Sequence, residues 1–184
     1  MSSSRPSEKD ADAMLALLIF LPLMFALLVP LAGKKQVRLI ALLGMLAPLA
    51  LGLYMASQVE WSSGGGAMHD VYVSWVPEYG LNFSLGVDAV SGLLMLLTLI
   101  LGPICVIASK TAITDRVRTY YGWLLALQAA MLGVFAARDL VLFYICFEFT
   151  LIPMFVLINL YGSTNRRAAA VKFFLYTFTG SVIA

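Results

Sequence analysis

Charged residues are scarce in this sequence: they make up 12% of its 184 residues, whereas hydrophobic residues make up 61%. Soluble globular domains carry about 25% charged residues. A soluble core could not bury this much apolar surface, and several windows approach the roughly twenty apolar residues that cross a bilayer as a helix. The alternation that membrane β-strands require is absent. The sequence therefore predicts an all-α polytopic membrane protein.

Residues that support cofactor or nucleic-acid chemistry are also few. The net charge is only +2, which gives no electrostatic basis for binding nucleic acid. The only histidine, His69, has no metal-ligand spacing around it, and Cys105 and Cys146 lie inside apolar runs as expected of small core residues. No CxxC, Rossmann, Walker or haem-ligand motif occurs. We expect no metal, no cofactor and no catalysis from this chain alone.

The apolar residues form six segments after a polar N-terminal stretch of residues 1–12. The predicted membrane helices cover residues 13–32, 37–57, 87–109, 117–136, 139–161 and 167–184. The first is too long for a signal peptide, so we expect it to be retained as a helix. The only long connection, residues 58–86, has alternating Val, Tyr and Trp residues that predict a hairpin at the membrane surface. The sixth segment reaches Ala184 without a cap or stop signal, which predicts a truncated chain or a fragment of a longer protein.

Basic residues occur in every second connection. They lie between segments one and two, three and four, and five and six: Lys34, Lys35, Arg38, Lys110, Arg116, Arg118, Arg166 and Arg167. The long connection contains neither Lys nor Arg. Because basic loops remain on the cytoplasmic side, the N-terminus and the hairpin are expected on the outer, periplasmic side.

One carboxylate, Glu148, lies in the middle of the fifth apolar segment, within the stretch "FYICFEFTLIPMF". A charge at this depth costs from about 3 to more than about 10 kcal/mol. None of the residues three or four positions away is basic, so no cation on the same helix can pair with it. Glu148 is therefore predicted to bind or relay a proton or cation. The alternative is a protonated, hydrogen-bonded structural glutamate.

Two further residues are candidates for the same pathway. Lys172 lies about one and a half turns into the sixth segment and either faces the pathway or extends back to the membrane surface. Its depth differs from that of Glu148 by roughly 10 Å, so only water could connect the two. Pro153 leaves the carbonyl of Phe149 without its helical donor beside Glu148, which would suit ordered water. Prolines are also common in membrane helices for no such reason.

The remaining polar residues have simpler interpretations. Gln128 and Tyr144 are candidates for lining a path, although residues such as Gln128 more often form hydrogen bonds between helices. Asp139 and Asp88 each open a segment, where a carboxylate caps a helix favourably. Capping accounts for both without a functional role.

The stretch "FYICFEFTLIPMFVLINLYG", followed by "AAAVKFFLYT", resembles the signature region of the proton-translocating antiporter-like subunits of respiratory complex I. The pattern is most similar to chain M, or chain 4, of the NADH:quinone oxidoreductases. "IFLPLMFALL" and "NFSLGVDAVSGLLMLLT" resemble the first helix and the third-helix entry of this family. The resemblance implies the N-terminal part of a fold with roughly fourteen helices. It also implies that Glu148 is the functional glutamate, that Lys172 matches a lysine on helix six, and that the lysine paired with Glu148 lies after Ala184.

The resemblance further implies a non-redox subunit that couples quinone reduction to proton pumping in a bacterial inner membrane rather than an organelle membrane. NADH, FMN, iron–sulfur clusters and quinone would be bound by other subunits, and the neighbours would be the antiporter-like chains L and N and the lipid bilayer. One alternative is the D-type subunit of an Mrp-type cation/proton antiporter, which is similar over the same helices. Another is a purely structural membrane anchor.

Overall fold

The computed structural model describes residues 8–33, 36–58, 69–76 and 81–183, which form long helices and one β-hairpin. In chain order the elements are α1 (Glu8–Leu28), α2 (Val37–Gln58), β1 (His69–Val76), β2 (Leu81–Val87), α3 (Ala89–Ala112), α4 (Val117–Ala136), α5 (Leu140–Tyr161) and α6 (Arg166–Ile183). A short 3₁₀ turn, Val29–Leu31, follows α1. Lys34, Lys35, Ala184 and parts of the predicted N-terminal stretch and hairpin connection (1–7, 59–68, 77–80) lie outside the described residues.

Five of the described helices, α1 to α5, are long and apolar enough to cross a membrane. The sixth helix, α6, carries Arg166, Arg167 and Lys172 within its 18 residues and packs along α5. Helix α1 begins at Glu8, ahead of the predicted apolar segment. Its first residues, "EKDADA", are mostly good helix formers, so the helix extends beyond its apolar part.

Carboxylate caps fix the starts of α3 and α5. Asp139 Oδ1 accepts hydrogen bonds from the backbone N–H groups of Val141 (2.8 Å) and Leu142 (3.2 Å). Asp88 accepts from the Ser91 N–H, and the Ser91 hydroxyl oxygen accepts from the Asp88 N–H, which completes a capping box. Hydrogen bonding of the Asp88 carboxylate with the Ser91 side chain, and then with the Ser91 backbone N–H, holds the pKa of Asp88 below its ordinary value. The interpretation of both aspartates as helix caps is confirmed.

Helix α4 is at the centre of the bundle and contacts α1, α2, α3 and α5. Its fully buried Tyr121 and Leu125 pack into one apolar cluster with residues of α1, α2 and α3. Its Leu132 and Ala136 pack into a second cluster that includes Leu85 of the hairpin. Because both clusters depend on α4, this helix sets the positions of its neighbours.

The hairpin docks on the end of the bundle where α3 begins and α4 ends. Strands β1 and β2 pair antiparallel, with His69 opposite Val87. Leu85 is buried and forms a bridge to Ala137, and the Arg138 backbone N–H donates to the Ser84 carbonyl at 2.9 Å. The hairpin is therefore joined to the bundle by backbone hydrogen bonds as well as by apolar packing.

The basic connections meet at the opposite end of the bundle. The Arg38 guanidinium, at the start of α2, donates to the Ile113 carbonyl at 3.3 Å. The Tyr161 hydroxyl, at the end of α5, donates to the Arg116 carbonyl at 2.7 Å. These contacts link the regions around the α1–α2, α3–α4 and α5–α6 connections. We refer to this end of the bundle as the basic end.

Candidate functional site

Glu148 lies on α5, is half-buried, and faces α6. The Ser181 hydroxyl lies 2.5 Å from Glu148 Oε1 and forms a hydrogen bond across the helix interface. Glu148 is thirteen residues before the end of α5 at Tyr161, and Ser181 is fifteen residues after the start of α6 at Arg166. Because the two helices are antiparallel, both side chains lie about 20 Å from the basic end. The hydrogen bond is therefore within the apolar depth of the bundle.

Sequence reasoning did not identify Ser181. A serine in a membrane helix is common, and nothing in the local pattern "TFTGS" marks it. The one available signal was depth, because two antiparallel neighbouring helices place residues at equal distances from their connection side by side. Recognising that signal requires knowing that α5 and α6 pack together with these faces in contact.

The second carboxylate oxygen of Glu148 remains available for another donor. Among the described residues, Glu148 forms no hydrogen bond other than that with Ser181 and no ion pair. An ionised carboxylate has about four acceptor positions, of which one hydroxyl satisfies one. The site therefore has a hydroxyl donor on one carboxylate oxygen, and the other oxygen has no hydrogen-bond donor among the described residues.

Lys172 does not pair with Glu148. Its side chain is exposed and has no hydrogen bond or ion pair within the part of the chain that the structure describes. Lys172 lies nine residues before Ser181 on α6, which places it about 13 Å nearer the basic end along the helix axis. A direct salt bridge is excluded by this separation, in agreement with the depth estimate from the sequence.

Pro153 faces a different part of the structure from Glu148. The side chains of Leu142, Cys146, Phe149 and Pro153 share one face of α5 and line an apolar groove of about 510 Å³ bordered by α1 and α4. Five residues along a helix rotate the side chain by roughly 140°, so Glu148 points away from this groove. The ordered water expected at the Phe149 carbonyl beside Glu148 stays a prediction.

Gln128 is buried in α4 against α3. Its amide end fits closely over Gly102, where a Cβ atom would overlap the side-chain oxygen and would come within 2.9 Å of Met45 Sδ. Neither amide atom has a hydrogen-bond partner among the described residues. On the α5 side of α4, a Cβ atom at Gly133 would lie 3.1 Å from Cys146 Sγ, so α5 approaches α4 closely at this glycine. Gln128 and Glu148 are thus not brought together.

Tyr144 lies one turn before Glu148, on the same side of α5. Its side chain is exposed, and its hydroxyl has no hydrogen-bond partner within the described ranges. The structure therefore places Tyr144 beside Glu148 without a direct contact between their polar atoms. No group of three or more His, Cys, Asp or Glu side chains in the described residues is arranged to hold a metal ion.

Comparison with known proteins identifies the class. A sequence profile for the family described as NADH:quinone oxidoreductase/Mrp antiporter, transmembrane, matches residues 137–184, which contain both Glu148 and Ser181. Subunit M of the F(420)H(2) dehydrogenase of Methanosarcina mazei is 39% identical over 169 residues, or 91% of this chain and 34% of that protein. The NADH-quinone oxidoreductase subunit M of Rhodobacter capsulatus is 50% identical over 110 residues, or 60% of this chain and 21% of that protein. Respiratory complex I from Thermus thermophilus contains a chain with a TM-score of 0.76 at 29% identity, covering 91% of this chain and 33% of that chain.

The chain is therefore similar to the antiporter-like membrane subunits that NADH:quinone oxidoreductases and Mrp antiporters share. The predicted fold class, a polytopic helical membrane protein that forms part of an antiporter-like fold, is confirmed. Within this class the sequence is similar to subunit M, and the resemblance to chain M of the NADH:quinone oxidoreductases is also confirmed. The chain spans 34% or less of the length of the relatives named here.

Proposed function

We propose that this chain is part of a proton-translocating membrane subunit of an NADH:quinone oxidoreductase, with Glu148 as the residue that takes up and releases protons. The observation that carries the proposal is the position of Glu148. It is a carboxylate at mid-depth, hydrogen-bonded to Ser181 across a helix interface, within the residues that match the family profile. An ionisable side chain at this depth costs free energy, and such side chains in membrane segments usually serve ion or proton movement.

In the proposed mechanism, quinone reduction elsewhere in the complex changes the charge of Glu148. An ionised carboxylate favours a protonated lysine nearby, and removing that charge favours proton release from the lysine. The second oxygen of Glu148 is the side at which such a lysine, from another part of the subunit, would act. Lys172, about 13 Å nearer the basic end, would communicate with Glu148 only through water.

The redox chemistry belongs to other subunits in this proposal. NADH, FMN, the iron–sulfur clusters and quinone would be bound outside this chain, and the neighbouring membrane subunits would be the antiporter-like chains L and N. The Methanosarcina mazei relative belongs to an F(420)H(2) dehydrogenase. The proposal that NADH is the electron donor is therefore supported by the Rhodobacter capsulatus relative and not by the Methanosarcina mazei one. We place the chain in a bacterial inner membrane, with the basic end in the cytoplasm and the hairpin in the periplasm.

Glu148→Gln in the assembled complex tests the proposal. Proton pumping by membrane vesicles and the electron-transfer rate are measured in parallel, with assembly checked separately. We expect both rates to fall by about tenfold or more, because loss of a proton-transfer group typically costs at least that much. Glu148→Asp keeps a carboxylate and should retain part of the activity. Wild-type rates in Glu148→Gln would instead make this glutamate structural and the chain a membrane anchor.

An Mrp-type cation/proton antiporter is the second candidate, because the matching family profile includes both classes. The two functions differ in what drives proton movement. An antiporter subunit moves protons in response to a sodium gradient without an electron donor. A subunit of the oxidoreductase moves protons only during electron transfer. Measuring proton movement in the same vesicles with a sodium gradient alone, and then with NADH alone, distinguishes them.

A further inference from the structure

We propose that Ser181 is a positioning residue that keeps Glu148 hydrogen-bonded both when its carboxyl group is ionised and when it is protonated. This inference rests on the proposed role of Glu148 in proton movement. It adds a specific partner on α6 and a specific exchange of hydrogen bonds. Ser181 keeps its own proton throughout and is therefore not itself a proton carrier.

The Ser181 hydroxyl has two acceptors within reach. Its Oγ atom lies 2.5 Å from Glu148 Oε1 and 2.9 Å from the backbone carbonyl oxygen of Phe178. A hydroxyl group has one hydrogen to donate and two lone pairs with which to accept. It therefore cannot donate fully to both oxygens, and the protonation state of Glu148 decides which one receives its hydrogen.

When Glu148 is ionised, Ser181 donates to Oε1. The distance of 2.5 Å is at the short end of the range for a hydroxyl–carboxylate hydrogen bond, about 2.5–2.7 Å, and such charge-assisted bonds are roughly twice as strong as neutral ones. This donor partly offsets the cost of a carboxylate at this depth. The Phe178 carbonyl can still accept the ordinary helical hydrogen bond from the backbone.

When Glu148 is protonated, the direction of the bond reverses. The new carboxyl O–H donates to Ser181 Oγ, and the Ser181 hydrogen rotates to the Phe178 carbonyl. The carboxyl proton comes from the pathway and returns to it, so the number of protons on Ser181 does not change. Only one hydroxyl hydrogen rotates and no heavy atom moves. The bundle need not repack between the two states.

The other polar groups near this interface do not perform the same task. On α5, Tyr144 lies one turn before Glu148 and Cys146 lines the apolar groove, and neither forms a hydrogen bond to Glu148 within the described residues. On α6, the Lys172 and Tyr176 side chains are exposed. Helix α4 meets this part of α5 through Gly133, which has no side chain to donate.

Thr177, one turn before Ser181 on α6, offers a matched control. Its hydroxyl donates to the Phe173 carbonyl at 2.8 Å, the same type of bond to the preceding turn that Ser181 makes, and it forms no hydrogen bond to a carboxylate among the described residues. Thr177→Val removes this hydroxyl at nearly constant volume. Ser181→Thr retains a hydroxyl at the site and serves as the conservative variant.

The test uses the assembled complex carrying Ser181→Ala, Ser181→Thr or Thr177→Val. Infrared difference spectra between the oxidised and reduced complex report the C=O stretching band of a protonated carboxyl group, and Glu148→Gln identifies the band by removing it. We expect this band to shift in Ser181→Ala and to keep its wild-type position in Thr177→Val. The rate of proton pumping should fall by about fivefold to tenfold in Ser181→Ala, and Ser181→Thr should restore most of it.

An unshifted band in Ser181→Ala would overturn the inference, as would an equal shift in Thr177→Val. If Ser181→Ala fails to assemble, Ser181→Cys, which keeps a small side chain but donates only weakly, is measured in the same way and must shift the band. The proposed function fails separately, through wild-type pumping in Glu148→Gln. A pumping defect in Glu148→Gln with a wild-type spectrum and rate in Ser181→Ala would reject only the role of Ser181.

Discussion

The contribution of the N-cap of α5 to the stability of the protein can be tested quantitatively. Asp139 Oδ1 accepts hydrogen bonds from the backbone N–H groups of Val141 and Leu142. Asp139→Ala removes both bonds and leaves the two N–H groups without their side-chain acceptor. Loss of an N-cap of this type costs about 1 kcal/mol, within a range of about 0.5–2 kcal/mol. We therefore expect the free energy of unfolding to fall by about 1 kcal/mol.

The assay is denaturation of the purified protein in mild-detergent micelles, followed by circular dichroism. Asp139→Asn is the matched control, because an asparagine oxygen accepts the same two hydrogen bonds and asparagine is an equally good N-cap. It should lose at most a few tenths of a kcal/mol, the part that depends on the carboxylate charge near the helix N-terminus. Equal losses of about 1 kcal/mol or more in both variants would show that the charge, and not the cap geometry, stabilises α5.

Two further predictions concern groups outside the proposed proton site. Because the pKa of Asp88 is held below its ordinary value of 3.8, its contribution to stability is present above that value and is lost as pH falls through the folded pKa. Acid titration of unfolding should therefore show a steeper loss of stability below about pH 4 in the wild type than in Ser91→Ala, and parallel curves would contradict this assignment. Gln128→Met replaces two buried amide atoms that lack partners among the described residues, so stability should stay constant or rise by about 1–2 kcal/mol, measured by the same micelle assay. A clear loss of stability would mean that the amide is paired in the native protein.

Local features of the sequence were sufficient to predict the class of protein, the helices and the helix caps. Composition alone required a membrane protein, because 61% hydrophobic residues exceed what a soluble domain of this size can bury. Asp88 and Asp139 were recognised as caps because a cap is defined by residues within one turn. Glu148 was recognised because a carboxylate in the middle of an apolar segment is costly, and its position in the segment can be read from the sequence.

The partner of each polar side chain was decided only by the tertiary structure. Apolar residues occur all around helix α5, so its sequence does not reveal which face meets α6 and which lines the groove. Packing places Glu148 against Ser181, turns Pro153 to the opposite part of the helix surface, and buries Gln128 against α3. The sequence by itself determined that a carboxylate must be accommodated at mid-depth. The packing of α5 against α6 determined which hydroxyl accommodates it, because contacts between helices depend on rotation and separation that no single segment encodes.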